Sequence, residues 1–430
     1  MSDRKIKVAF HTLGCKLNFS ETSAISRKME DASYQRVPFT ESADIYVIHG
    51  CTVTGAADKK CRQVIKQTIR RSPASFIVVA GCYAQLRYEE IAGIPGVDLI
   101  LGTNEKYDIL NYLGDTSKRK EPEIHHCGRD ELLMFNPSFS GSDRTRAFLK
   151  IQDGCDYSCS YCTIPIARGR SRNQPISACV RDAVKIAELG IKEIVLTGVN
   201  IGDFGKSTGE TFHDLLKELS GVKGIERYRI SSVEPNLLTD DIIELVARSK
   251  KIQPHFHIPL QSGSDKILAK MRRRYTREVF TSRVKKIREF MPLAGIGADV
   301  IVGFPGETEN DFIESYEFLL SLDLSYLHVF SYSERDGTPA ADMPGQIDKS
   351  IKNDRSKKLH ELSELKKRKF NEKCSGMQVD VLWETEEKTG YISGFTGNYI
   401  RVFTEYDHEL EGKIKAHTLG EIDENGNFTV

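Results

Sequence analysis

Residues 147–165 read AFLKIQDGCDYSCSYCTIP, and the fold turns on the cysteine loop placed directly after the short strand pattern AFLKIQ. Cys155, Cys159 and Cys162 stand in the spacing C-x3-C-x2-C. Three thiolates so close in sequence can converge on one metal centre. A structural zinc site needs a fourth Cys or His nearby, and none occurs within the next twelve residues. Ferredoxin-type clusters use four cysteines in a different run. A cluster held by three ligands leaves one iron open to bind something else.

Outward from this loop, AFLKIQ is the first of six strand patterns; the others are EIVLTG, RYRISS, FHIPLQ, ADVIVGF and YLHVFSY. Amphipathic helical patterns lie between most of them, around 176–189, 211–220, 239–249, 276–290 and 308–321. Six βα units predict an α/β fold with an open or partial barrel over 146–348, because eight are needed for closure. Its chemistry belongs at the C-terminal ends of the strands. Upstream, KVAFHTL, DIYVIH, SFIVVA and VDLIL alternate with helical patterns starting near Glu21, Ala56 and Leu86. They predict a separate α/β domain over 1–112 with a mostly parallel sheet. Residues 113–145 read as a polar linker. Downstream, 349–373 is a lysine-rich helical segment. Residues 374–430 carry short strands at MQVDVLWE, YISGF, YIRVF and GKIKAHTL, which predict a small five-stranded OB-like barrel.

The N-terminal domain holds three Gly-Cys pairs, each just past a predicted strand: TLGC at Cys15, IHGC at Cys51 and VAGC at Cys82. One such cysteine is most simply core packing. In a parallel sheet, however, successive strand ends lie along one edge, so three equivalent thiols can meet. A second three-cysteine iron–sulfur site is the better reading. Cys61, Cys127, Cys179 and Cys374 are isolated and read as packing, although His126-Cys127 in the linker offers an adventitious metal site.

At 430 residues the chain needs two or three domains. Lys+Arg and Asp+Glu are 61 each, so global charge points to no partner. The opening MSDRKIKVAFHTLGC has no signal-peptide pattern, and no run approaches the roughly 20 apolar residues of a membrane span. A cytoplasmic location is expected, where ten cysteines mean metal or redox chemistry rather than a disulfide framework.

The cysteine loop resembles the radical S-adenosylmethionine (SAM) superfamily. With TLGCKLN, GCTVT, AGCYAQ, ARGRSR, LTGVN, SSVEP, HIPLQSGS, MRRRYT and IVGFPGET, nearly the whole chain is similar to the methylthiotransferases within it. The resemblance implies an N-terminal methylthiotransferase domain, a radical SAM core and a C-terminal TRAM domain. It implies two 4Fe–4S clusters, one on Cys15, Cys51 and Cys82 and one on Cys155, Cys159 and Cys162. SAM would serve both as methyl donor and as radical source. TLGCKLN with CTVT looks most like the subgroup that acts on carbon 2 of N6-threonylcarbamoyladenosine beside the tRNA anticodon. Isopentenyladenosine in tRNA and a ribosomal protein are the alternative acceptors. A zinc-bearing RNA-binding protein is the non-enzymatic alternative. A low-potential electron donor such as flavodoxin or ferredoxin, a sulfur source and a monomeric state complete what the family implies. The chain departs from the family at His49-Gly50, where Asn-Thr is usual, so His49 is either a donor to the cluster or a plain strand-end histidine.

Polar residues at later strand ends share the barrel mouth. Tyr161, Asn200, Ser232, Glu234, Gln261 and Gly303 are candidates for the SAM site, with Tyr161 against the adenine and Glu234 on the ribose. Gly303 and Pro305 suit a tight turn beside the bound nucleoside. His255 and His257 alternate on one strand and face one side, without an evident third ligand for zinc. The basic runs ARGRSR (Arg168, Arg170, Arg172) and KMRRRYTR (Arg273) are expected to meet RNA phosphates, alongside KKCRQVIKQTIRR and 349–373. From Ser375 onward Lys+Arg number 4 and Asp+Glu 11, a net of −7, so RNA contact there would need a limited face. Tyr391, Phe395, Tyr399 or Phe403 would stack on bases there.

Overall fold

The structure is a computed structural model that describes residues 5–141, 144–388, 390–423 and 426–430. Its N-terminal sheet contains β1 (Lys7–Thr12), β2 (Gln35–Val37), β3 (Ile45–Gly50), β4 (Phe76–Gly81), β5 (Leu99–Leu101) and β6 (Glu123–His125). All pair in parallel, in the order β2-β1-β3-β4-β5-β6. The central strands β3, β4 and β5 are almost continuously apolar because both faces are covered. Tyr46, Ile48, Ile77 and Val79 pack on one side, against α2 (Gly55–Arg71); Val47, Phe76 and Val78 pack on the other, with Ile25 and Met29 of α1 (Lys16–Asp31). Residues 113–145, expected as a linker, also supply β6 to the sheet edge.

The central strands are β7 (Arg146–Lys150), β10 (Glu193–Thr197), β11 (Arg227–Ile230), β12 (His255–His257), β13 (Gly295–Val302) and β14 (Tyr326–Ser331). They lie side by side in chain order and in parallel. Bridges at Tyr228–Ile252 and Ser232–His257 join β11 to β12. Between β7 and β10, the short β8 (Gln152–Asp153) and β9 (Arg172–Asn173) pair antiparallel. The predicted six-stranded partial barrel is what forms.

Alternation divides its residues. Ala147, Leu149, Ile194, Leu196, Tyr228, Phe256, Ala298 and Leu327 belong to the apolar core beneath the surrounding helices. Their strand neighbours Arg146, Lys150, Glu193, Arg229, His255, His257, Asp299 and His328 point the opposite way and make the lumen polar. The N-terminal domain spans the barrel's open side. Helix α1 packs along β7, while Gly55 N donates to Ser333 Oγ at 3.0 Å and Arg335 pairs with Asp58 at 2.8 Å beyond β14.

Helix α12 (Lys349–Cys374) buries Leu359 and Leu362 in the barrel's outer core and leads to the C-terminal sheet. There β15 (Gln378–Lys388), β16 (Tyr391–Thr396), β17 (Arg401–Glu405), β18 (Ile414–Thr418) and β19 (Phe428–Thr429) run in the order β18-β15-β16-β17-β19 around Trp383, Val381 and Val402. The β16–β17 turn closes the N-terminal end of the barrel. Arg227 donates to the carbonyls of Phe395 and Asp380, and Arg229 donates to those of Thr396 and Gly397. Phe395 and Tyr399, base-stacking candidates by sequence, therefore stack on each other beneath Arg146 and Arg229. Tyr391 is exposed.

Candidate active site

Cys15, Cys51 and Cys82 sit together at the C-terminal edge of β1, β3 and β4. Register brings them close: Thr12 pairs with His49, which carries Gly14 up to Cys51, and Gly50 pairs with Gly81, which sets Cys51 beside Cys82. Gly14 takes a φ of +107°, and a Cβ there would lie 2.6 Å from Cys51 Cβ and 3.0 Å from its sulfur. Gly81 takes a φ of +94° against the His49 ring. Only glycine allows turns this tight. Gly50 needs no positive φ, but Tyr83 leaves no room for a side chain there. Cys82 then opens a short helix, α3 (Cys82–Leu86).

The second set lies on the loop after β8. Gly154 turns with a φ of +68° against the Arg170 carbonyl, and Cys155 N donates to Gly169 O at 3.1 Å. Cys162 N donates back to Cys159 O at 3.1 Å, which curls the loop around its sulfurs. Donors reach two of them: Tyr157 N to Cys155 Sγ at 3.4 Å and Arg273 Nη1 to Cys159 Sγ at 3.1 Å. Arg273 is also paired with Glu234 and lies 3.4 Å from Tyr161 Oη. Burial pushes Cys155 and Cys162 up to about 12, helped by the nearness of their fellow thiols.

A buried ion network couples the two sets. Glu21 of α1 is fully enclosed and meets Lys106 at 2.7 Å, Lys150 at 3.1 Å and Arg168 at 2.9 Å. Arg168 sits on α5 (Ile164–Arg168) and turns its Nε to Cys82 Sγ at 3.2 Å and its Nη1 to Asp153 at 3.0 Å. Asp153 also pairs with Lys150 and Arg172. Burial alone would raise the Glu21 carboxyl, but Arg168, Lys106 and Lys150 hold it well below the usual range. Asp153 is depressed in the same way by Lys150, Arg168 and Arg172. Cys51 is pushed up to about 12 by burial, with Cys82 and Cys15 adding to it, and burial also raises Cys82.

These donor sets fit iron–sulfur ligation. Each has three thiols and sulfur-directed N–H groups. The network's cations Lys106, Lys150, Arg168 and Arg172 outnumber Glu21 and Asp153, which suits an anionic cluster beside Cys82.

The sequence-based candidates fall unevenly. Tyr161 packs edge-on to Phe304 beside the cysteine loop, and Ser232 and Gln261 lie at the barrel mouth. Asn200 binds Asp203 at 3.0 Å and keeps a buried Oδ1 without a partner among the described residues. Gly303 has the expected tight turn, but the group packed against it is the Lys352 side chain rather than open space for a nucleoside. The phosphate-binding expectation fails for Arg168 and Arg172, which are buried and committed to carboxylates. Arg273 is committed to Glu234 and Cys159. Arg170 remains exposed. His49 turns to Thr22 at 2.8 Å and toward Lys106, not to a sulfur. His257 does acquire carboxylate and imidazole neighbours: its Nε2 lies 2.8 Å from Asp299 Oδ1, and His328 Nδ1 lies 3.5 Å from the same oxygen. His255 instead pairs with Tyr326. Sequence reasoning misses Glu21, Lys106, Lys150 and Asp153. The one signal for them is a lysine and an aspartate flanking the end of an otherwise buried strand pattern.

A partial barrel carrying a three-cysteine loop at its first strand end defines an enzyme of the radical SAM class, with an iron–sulfur cluster and SAM as cofactors. The Radical SAM superfamily profile matches residues 149–319, and that of Uncharacterized protein family UPF0004 matches 7–102. The chain is 43% identical over 95% of its length to the threonylcarbamoyladenosine tRNA methylthiotransferase MtaB of Bacillus subtilis, covering 92% of that protein. It is 38% identical over 95% to the enzyme of that name from Aquifex aeolicus, covering 99% of it. The fold is similar to that of the radical SAM methyltransferase TsrM from Kitasatospora setae, with TM-score 0.57 and 15% identity over 89% of this chain and 79% of that one. The chain belongs to the radical SAM methylthiotransferase family.

Proposed function

We propose that this enzyme transfers a methylthio group to carbon 2 of N6-threonylcarbamoyladenosine in tRNA, with Cys15, Cys51 and Cys82 holding one 4Fe–4S cluster and Cys155, Cys159 and Cys162 another. The observation that carries the two-cluster reading is Arg168, which touches Cys82 with one nitrogen and Asp153, two residues before Cys155, with another. The sheet edge and the loop are thereby fixed face to face, with α3 packed on α5. The 43% identity to the Bacillus subtilis enzyme supports the acceptor.

When bound, the clusters and SAM supply the radical and the sulfur chemistry. The chain's own residues position and enclose. Arg273 orients Glu234 and donates to Cys159, so Glu234 at the end of β11 has a fixed place for a polar ligand. Burial raises the Glu234 carboxyl despite Arg273. Tyr161 and Phe304 pack edge to face beside the loop. The polar lumen offers hydrogen-bonding side chains to a nucleoside. Exposed Arg170, Arg272 and Arg274 ring the cysteine loop, where RNA phosphates would lie. A low-potential flavodoxin or ferredoxin would supply electrons. We assign 1–112 to the sulfur-bearing domain, 146–348 to the radical core and 374–430 to a TRAM domain.

Nucleoside mass spectrometry of tRNA from a strain lacking the gene tests the acceptor. Methylthio-threonylcarbamoyladenosine should disappear while its unmethylthiolated parent accumulates. An unchanged level overturns the assignment.

A further inference from the structure

Two imidazoles and a carboxylate meet in the lumen and belong to neither thiol set. His257 of β12, Asp299 of β13 and His328 of β14 come from neighbouring parallel strands. In register, His257 pairs with Gly297 and Asp299 pairs with His328. Gly297 and Asp299 are two residues apart, so the three side chains share the lumen face. Asp299 Oδ1 is the centre of the group: His257 Nε2 lies 2.8 Å from it and His328 Nδ1 lies 3.5 Å from it. One nitrogen of each imidazole and one carboxylate oxygen all fall within 4.8 Å of one another.

This spacing is that of donors sharing one ion. Bonds of about 2.0–2.2 Å at tetrahedral or octahedral angles set neighbouring donors about 2.8–3.6 Å apart. Both separations from Asp299 Oδ1 fall in that range. The rings are also held in advance. A Cβ at Gly297 would overlap the Tyr326 ring, so glycine there lets that ring pack beside the cluster. Tyr326 lies 6.3 Å from the His257 ring and 5.2 Å from the His328 ring, and its hydroxyl is fixed by His255 at 2.8 Å. His257 and Asp299 are mostly enclosed, whereas His328 is half exposed, so the group opens to the lumen on one side. Two imidazole nitrogens with one carboxylate suit zinc or ferrous iron; magnesium and calcium prefer oxygen ligands alone. A closed structural zinc site has four protein ligands, so three leave a position open.

We propose that His257, Asp299 and His328 form a binding site for one divalent transition-metal ion of the zinc class, with its remaining coordination open to the lumen. The open position takes water or a nitrogen or oxygen atom of a molecule bound in the barrel. The site uses no cysteine and stands whether or not the acceptor assignment holds.

The test loads the full-length, anaerobically reconstituted enzyme with zinc sulfate, which outcompetes ferrous iron left from reconstitution. After desalting, elemental analysis counts zinc, and X-ray absorption at the zinc edge identifies its neighbours. The wild type should keep about one zinc per chain, surrounded by nitrogen and oxygen at about 2.0–2.1 Å. Competition with a chelator gives Kd. His328→Ala and Asp299→Asn should each weaken zinc by at least about tenfold, because even losing a hydrogen-bond partner of a ligand has that effect. Unchanged iron content and circular dichroism report that each variant is assembled. If one variant fails to assemble, the other carries the comparison, and the wild-type absorption spectrum stands by itself. Sulfur neighbours at about 2.3 Å would put the zinc on cysteines and overturn the proposal. So would a wild type that retains no zinc, or assembled variants that hold it as tightly as the wild type.

Discussion

The two cysteine sets reach similar chemistry by opposite routes. Cys155, Cys159 and Cys162 share one loop, and local hydrogen bonds such as Cys162 N to Cys159 O shape it. Cys15, Cys51 and Cys82 are each more than 30 residues from the next and meet only because β1, β3 and β4 are parallel neighbours in one sheet. The loop set depends on turn geometry. The sheet set depends on the whole N-terminal domain, because only the pairing of three strands brings Gly14 against Cys51 and Gly50 against Gly81. What they share is a glycine before the first cysteine of the loop and before each cysteine of the edge. What couples them is a buried charge network reaching across two domains.

Cysteine substitutions should divide the sites most sharply. Cys159→Ala should abolish SAM cleavage and leave roughly four irons of the eight expected for two clusters. Cys82→Ala should leave a similar iron content with SAM cleavage retained and no methylthiolated RNA. If Cys82→Ala keeps about eight irons, the edge is not a cluster site and the comparison collapses.

The next effect falls on the network. Glu21→Gln leaves Lys106, Lys150 and Arg168 confined with one fewer carboxylate, and breaking a buried ion pair costs about 3–5 kcal/mol. Denaturant unfolding of the apo-protein should show that loss. Glu234→Gln breaks a single pair with Arg273 and should cost about 1–3 kcal/mol. Equal losses would mean that the network contributes no more to stability than an isolated pair.

Much of this is legible in the sequence, and the gaps have physical causes. C-x3-C-x2-C and the repeated Gly-Cys steps are local patterns, and parallel βα order turns the second into a place. Burial of charge is not local. Glu21 sits in a polar helical stretch that reads as solvated surface, and its partners lie in other elements, as far away as Arg168. Arg168 in ARGRSR looks like a phosphate ligand until the fold encloses it. Glu123–His125 is too short and polar to stand out as a strand in the linker, yet β5 offers it an edge. Tyr399 reads as a base-stacking aromatic, and the docking of the β16–β17 turn directs it into the barrel.

The glycines sharpen the comparison at smaller scale. Gly81→Ala forces a positive φ on alanine and presses on the His49 side chain, whereas Gly154→Ala presses on the Arg170 backbone carbonyl. Positive-φ strain alone costs about 1–3 kcal/mol. A ring can tilt where a carbonyl cannot, so Gly154→Ala should be the more damaging by thermal unfolding. The reverse order would show that His49, held by Thr22 and Lys106, is the stiffer neighbour.

The smallest expected effect is one of sign. Glu21 has a folded-state pKa well below the ordinary 4.5, so its stabilisation is present above that value and is lost as pH falls through the acidic range. Glu234 is raised above 4.5 by burial, so its contribution is fully present below 4.5 and is lost as pH rises past it. Stability of wild type relative to Glu21→Gln should therefore grow with pH across the carboxylate range, and relative to Glu234→Gln it should shrink. Urea unfolding of the apo-protein at several pH values across the acidic and neutral range measures both slopes. Slopes of the same sign would mean that Arg273 does for Glu234 what three cations do for Glu21, and that the two sites share one electrostatic design.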